Sequence, residues 1–567
     1  MNLRKLTAIL ILVFLVIFII AAVGESRMKK ISGVKIVGRS LLTIDLERPY
    51  PENVPFEFDF FTLKRQVPFY ELIFAIESAA KDENIEGIIL KGSDGLGLSR
   101  TWELAQALRD FKKANKKVYG YFEYGNIGNL LLAGLCDSVA VPPQAEFSTP
   151  GIMANLLFLK RTFEKIGVGF DVIQMGKYKG AGEMFVNDSM SVYLKESYNK
   201  LLDDLFAQIK SDWEEIYGLP ADTLERIIND YAILTAADLR RFRIADTIEY
   251  WNDFKHDLVG NHTDRLVSVS KYCATKPHWE HSDTTIGLVV ASGNIIYGKG
   301  GWNQNVITPD RYAKAIRKLA DDRNISAIVL RVDSPGGSAL TSDIIYNEVV
   351  RAAKKKPVIV SMSSVAASGG YYISMGADTI FATPYTMTGS IGVIMLRPHF
   401  GELYRKIGAH PQKLKRGRFA DILVGDHPLT DDERKIFERS LKDIYHQFVS
   451  KAAAGRDTTY EWIDSVAQGR VWSALAADSL SLVDTLGGLW DAIRFAEKLC
   501  GIPADRHARI VVRPRPKTLW DITRELQASA LAHILPAELL ERINLYFLLH
   551  EFENKPAYLM PAQITTE

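Results

Sequence analysis

The stretch "NIEGIIL" at residues 84–90 returns as "NISAIVL" at residues 324–330. Outward from this pair the repetition continues. "GLCDSVAV" (134–141) returns as "GADTIFAT" from Gly376, and "FEKIG" (163–167) as "YRKIG" (404–408). "LTAADLRRFRIADT" (234–247) is matched by "SALAADSLSLVDT" (473–485), and from Val118 to about Ala181 the match runs without a gap at an offset of 241. Self-similarity over this distance makes the chain two copies of one unit.

Within each copy, apolar runs of strand length alternate with longer helical patterns. In the second copy the runs are Ile286–Val290, Ala327–Val332, Pro357–Met362 and Thr379–Ala382. Between them lies "TSDIIYNEVVRAAKKK" (341–356), with apolar residues at Ile344, Ile345, Val349 and Val350. That alternation predicts βαβ units and an α/β fold with mainly parallel sheets. The polar span "ATKPHWEHSDTT" (274–285) reads as the linker between copies. Residues 517–550 have a strongly apolar helical pattern with no counterpart in the first copy, and are expected to pack on another subunit or on a membrane.

With 567 residues, 47% of them apolar and 24% charged, the chain has ordinary globular composition for several domains. A formal net charge of +1 gives no electrostatic case for nucleic acid. Cys136, Cys273 and Cys500 are far apart and form no CxxC pair or disulfide framework. Residues 6–23, "LTAILILVFLVIFIIAAV", hold eighteen uncharged residues, long enough to reach roughly 27 Å through a bilayer core of about 30 Å. Cleavable leaders usually have shorter apolar cores, so an uncleaved single-pass anchor is expected. Arg4 and Lys5 precede the segment while Arg27, Lys29 and Lys30 follow it, so charge does not choose an orientation.

Three short motifs bear on chemistry. In "SSVAASGGYYISMGAD" (363–378), Ser368 stands at a strand-to-helix junction among alanines and glycines, where a substrate backbone could approach. Taken alone, "SGG" is a turn, and Ala366 departs from the G-x-S-x-G elbow of hydrolases. "DSPGGS" (333–338) follows a second strand, and Gly336-Gly337 can point N–H groups at a developing anion. A hydroxyl nucleophile needs a base, and His399, His410, His427 and His446 have no recognisable setting. The repeat offers another partner. Ser368 aligns with Ile127, while Lys179 in "GKYKGAGEMF" (176–185) aligns with Ala420 in "GRFADILVGD" (417–426). One copy keeps a hydroxyl and the other an amine, which can meet where the copies touch. A lysine base requires its ordinary pKa of about 10.4 to fall to roughly 7–8. Ser390 in "MTGSIGV" (387–393) is the candidate for aiming the amine.

Together "RVDSPGGS", "AASGGYYISMGAD", "TGSIGV" and "YKGAGEMF" resemble the bacterial signal peptide peptidases of the protease IV type, in their long, tandem form. The resemblance covers essentially the whole chain. It implies two Clp protease/crotonase-like repeats and a serine endopeptidase with a Ser–Lys dyad. It also implies a homotetramer on the bacterial cytoplasmic membrane, its bulk extracytoplasmic, degrading signal peptides. In that family Ser368 matches the nucleophile, Lys179 the general base and Ser390 the serine that holds the lysine. Gly369, Gly336 and Gly337 match the oxyanion-hole region. No metal or organic cofactor is called for; His278 and His281 of "HWEH" have ligand-like spacing but no further ligands nearby. One departure concerns "SALAADSLSLVD" after "GRVW" (469–472), which lacks the family's glycines.

The expected organisation is an anchor at 1–30, a first repeat at 31–273, the linker at 274–285, a second repeat at 286–510 and a helical extension at 511–567. Two rival functions fit parts of this pattern: a crotonase-type acyl-CoA enzyme, which would need a carboxylate base and a CoA site, and a non-catalytic membrane scaffold.

Overall fold

The computed structural model describes residue 36 and residues 38–54, 66–275, 278–298, 300, 305–515 and 557–559. The expected anchor and the apolar helices at 517–550 lie outside the described residues. Among the described residues no helix is long and apolar enough to cross a membrane.

The first repeat carries a six-stranded parallel sheet in the order 266–268, 40–45, 85–91, 117–121, 138–141, 247–248. In the second repeat, strands 507–513, 281–292, 325–334 and 358–367 lie side by side and parallel. Strand 358–367 then pairs in parallel with both 379–382 and 387–389, and 471–473 closes the edge antiparallel to 387–389. Apolar runs such as "AIVLRV" are buried on both faces, as a parallel sheet covered by helices requires. The helix Ala339–Ala353 is started by Ser338, whose hydroxyl accepts from the Thr341 N–H, and it buries Ile345, Val349 and Ala352.

Two expectations are corrected. The strand predicted from Ile286 begins at His281, inside the segment read as linker, because its early residues pair with His507 and Arg509 of the last strand. The repeat is also not gap-free from Val118. The Asp137 carboxylate accepts from the Val118 N–H, and Asp378 from the Val358 N–H, so the offset is 240 in the strand and 241 after it. The second copy holds one extra residue between this strand and the helix that follows, which is where Ser368 stands.

Two contacts among several lock the copies together around the site. Strand Gly169–Met175 of the first repeat runs antiparallel to Val393–His399 of the second, in a register from Met175↔Val393 to Gly169↔His399. Deeper in, the fully buried Arg331 guanidinium donates to Glu52, to Glu103 on a first-repeat helix, and to the hydroxyls of Ser361 and Ser363. A buried charge is tolerable only when so fully bonded, and the bonds fix how the repeats sit against each other.

Candidate active site

Ser368 is presented by the end of strand Val358–Ala367. Residues Val365–Ala367 pair with Met387–Gly389, and the Ser368 N–H donates to the Gly389 carbonyl at 2.8 Å. The chain then reverses sharply into the helix Gly369–Ser374, with Ser368 at φ 56° and ψ −114°. A positive φ on a serine costs about 1–3 kcal/mol, strain typical of sites where a side chain is held for use. The two glycines that follow are sterically required. A Cβ on Gly369 would lie 2.7 Å from Ser342 Oγ and 3.1 Å from both Gly336 Cα and Gly337 N, and one on Gly370 would lie 2.4 Å from the Ser334 carbonyl oxygen.

Lys179 arrives from the other repeat, on the loop after strand Gly169–Met175. Its Nζ lies 2.6 Å from Ser368 Oγ, 2.8 Å from the Ser390 carbonyl oxygen and 3.0 Å from Ser390 Oγ. All three residues are fully buried. Burial alone holds the amine well below the ordinary lysine range. Ser390 is itself strained at φ 51°, its N–H donating to the Arg470 carbonyl at 2.7 Å. An uncharged amine has two N–H groups and one lone pair. If both N–H groups serve the oxygens of Ser390, the lone pair is left facing the Ser368 hydroxyl.

The glycine loop sits beside this pair. Gly336 and Gly337 have φ of 106° and 145°. The Gly336 N–H already donates to Ser334 Oγ at 3.2 Å, while Gly336 Cα and Gly337 N lie equally close, 3.1 Å, to where a Cβ on Gly369 would stand. Backbone 557–559 lies antiparallel along this loop, Tyr558 opposite Gly337 and Leu559 opposite Gly336, and also bridges Ala557 to Ile394. The gap between the glycine loop and strand 393–399 is thus one extended chain wide.

The model of peptidase family S49 matches this chain twice, at residues 110–260 and 351–502, more than half its length. The first match contains Lys179 and the second contains Ser368 and Ser390. The chain belongs to peptidase family S49. Serine protease SPPA, chloroplastic, of Arabidopsis thaliana is 32% identical over 468 residues, covering 80% of this chain and 69% of that one. Protease 4 of Haemophilus influenzae is 30% identical over 454 residues, 77% of this chain and 73% of its own. The putative signal peptide peptidase SppA of Enterococcus faecium is 34% identical over 215 residues, 37% of this chain and 61% of that one.

The S49 domain of the first repeat enters its helix without that strained turn, from Asn126 in extended conformation at φ −132°, and fills the space. At the position of Gly369, the Gly128 N–H is capped by Asn126 Oδ1 at 2.9 Å, and a Cβ there would lie 2.0 Å from Asp94 Oδ2. Asn129 Oδ1 in turn accepts from the Asp94 N–H at 2.8 Å. Side chains occupy the space that the second repeat leaves around Ser368. In the glycine-free run "SALAADSLSLVD" the turn is still made: Ser481 takes the left-handed conformation at φ 58°, as Arg243 does at 59° in the first repeat.

Other readings resolve plainly. His427 bonds Asp426 at 2.6 Å and His446 pairs with Ser450 at 3.3 Å, so both are engaged elsewhere. His278 stacks on Tyr272 and lies 3.1 Å from the Asp82 carboxylate. Sequence reasoning missed Asp333. Its half-buried carboxyl, pushed up to about 6 chiefly by desolvation, accepts from the Val365 N–H at 3.1 Å and ties the glycine loop's strand to the strand of Ser368. Its place directly before "SPGG" was the available signal.

Proposed function

We propose that this chain is a membrane-anchored serine endopeptidase of the signal peptide peptidase type, acting through a Ser368–Lys179 dyad. The contact that carries the reading is the 2.6 Å approach of Lys179 Nζ to Ser368 Oγ, two buried groups from different repeats. Ser368 Oγ bonds to the scissile carbonyl carbon as its proton passes to Nζ, and the carbonyl π pair moves onto oxygen. The N–H groups of Gly369 and Gly337 receive that oxyanion. Collapse breaks the C–N bond, with the Nζ proton leaving on the amine. Water, deprotonated by the same amine, then cleaves the ester and restores Ser368. Side chains, backbone N–H groups and water carry every step written here.

The substrate is an extended, apolar peptide of the signal peptide class, the class named in the Enterococcus faecium relative, met at the bacterial cytoplasmic membrane. Support comes from backbone 557–559, which occupies the slot between the glycine loop and strand 393–399 as a peptide strand would. The apolar segment 6–23 fits a single-pass anchor beside such substrates. A serine-reactive phosphonate on the full-length protein tests the reading: mass spectrometry is expected to find the adduct on Ser368 and to lose it in Lys179→Met. Labelling elsewhere, or equal labelling of both proteins, rejects the dyad.

Self-association belongs to the same reading. The repeat counterparts of the paired strands 393–399 and 169–175 are 152–158 and 410–416, and these form no ladder with one another in a single chain. Pairing them between neighbouring copies gives a head-to-tail contact that closes into a ring, with four chains as the family resemblance implies. Light scattering at micromolar concentration is expected to give the mass of four chains; a single-chain mass rejects it.

A further inference from the structure

The root of Lys179 is enclosed by three glycines drawn from both repeats. A Cβ on Gly469 would lie 2.6 Å from Lys179 N and Cβ and 2.7 Å from its Cα. One on Gly392 would lie 2.9 Å from Gly469 Cα and 3.1 Å from Lys179 Cδ. One on Gly176 would lie 2.4 Å from the Gln468 carbonyl carbon. None of these contacts leaves room for a methyl group, because the opposing atoms are mostly backbone.

The turn that carries Gly469 is also held by hydrogen bonds on every side. The Gly469 N–H donates to the Ile391 carbonyl at 2.8 Å, and the Gln468 carbonyl accepts from the Tyr178 N–H at 2.8 Å. The Arg470 carbonyl accepts from the Ser390 N–H, the residue that receives the lysine amine. Gln468 Nε2 anchors the turn to Asp464 at 2.8 Å and to the Tyr445 hydroxyl at 3.1 Å. Gln468 and Gly469 sit at φ 50° and 77°, a left-handed pair kept in place by these bonds.

We infer that the Gln468–Arg470 turn is a positioning element, which seats the first repeat's Lys179 against Ser368 and Ser390 by direct backbone contact. It binds the residue before the lysine, covers the lysine's own backbone and bonds the serine that aims the amine. Gly469 touches no substrate; it acts through Lys179. The inference rests on the dyad proposed above.

Gly469→Ala tests it. A methyl at 469 must displace Lys179 or the turn by several tenths of an ångström, loosening the amine from its partners and admitting water. In the full-length protein, kcat/KM for an apolar peptide ester is expected to fall at least tenfold at pH 7. Its rise with pH should move to a higher midpoint, so that the gap to wild type narrows near pH 10. A merely structural loss lowers the curve at every pH without moving the midpoint, and that result overturns the inference, as does an unchanged curve. If Gly469→Ala does not fold, Gly176→Ala presses on Gln468 from the opposite side and is expected to give the same upward shift. Failure of both to fold also overturns the inference, because the turn would then be a folding element. If wild type itself works without Ser368 or Lys179, the dyad is what fails; if it needs both while a folded Gly469→Ala behaves as wild type, only the positioning role fails.

Discussion

Ser368→Ala is expected to lower hydrolysis of an apolar peptide ester by at least about 10⁴-fold, the scale on which removing a serine nucleophile acts. The substitution removes only Oγ. Alanine is tolerated less readily than glycine at φ 56°, but the Ser368 N–H bond to Gly389 and the surrounding packing stay as they are, so thermal unfolding should shift little. Turnover and melting temperature measured on the same preparation separate the two effects. A folded variant that retains more than about a hundredth of wild-type turnover excludes Ser368 as the nucleophile, because a neighbouring hydroxyl or an activated water would then be carrying the attack.

Much of this site can be read from the sequence because duplication left a control beside it. Ile127 opposite Ser368 and Ala420 opposite Lys179 mark which group each half discarded, and the buried strands announce themselves by unbroken apolar runs. Less legible is whatever depends on chain segments meeting at a distance. The strand 169–175 has a repeat counterpart at 410–416 that forms no strand, so comparing copies could not reveal its pairing with 393–399. Arg331 looks like an ordinary charged residue in a strand until Glu52 and Glu103 arrive from the other repeat. Gly469 is one of 40 glycines, and only the approach of the Lys179 backbone distinguishes it. The extra residue ahead of Ser368 shows only once the Asp137 and Asp378 hydrogen bonds fix the offset of each strand.

Lys179→Met should abolish activity and also change how stability depends on pH. Loss of the base is expected to lower kcat/KM by about 10³–10⁴-fold, within the usual contribution of general acid–base catalysis. In wild type, kcat/KM should rise with pH through the depressed pKa of the amine, and that limb should vanish with the lysine. The same depression has a thermodynamic sign. Because burial lowers the folded-state value, the unfolded chain binds more protons between that value and the ordinary lysine pKa of about 10.5. Stability therefore rises with pH across this window in wild type; below it, the full cost of burying the amine is present. Methionine cannot be protonated, so its variant should lack this slope and gain on wild type as pH falls. Its absolute stability also carries the loss of partners for Ser368 and Ser390, which makes the slope, not the midpoint at one pH, the decisive quantity. Urea unfolding at pH 7 and pH 10 measures it. Equal slopes in the two proteins would mean that the amine is charged in the folded state, and a charged amine cannot take the proton from Ser368.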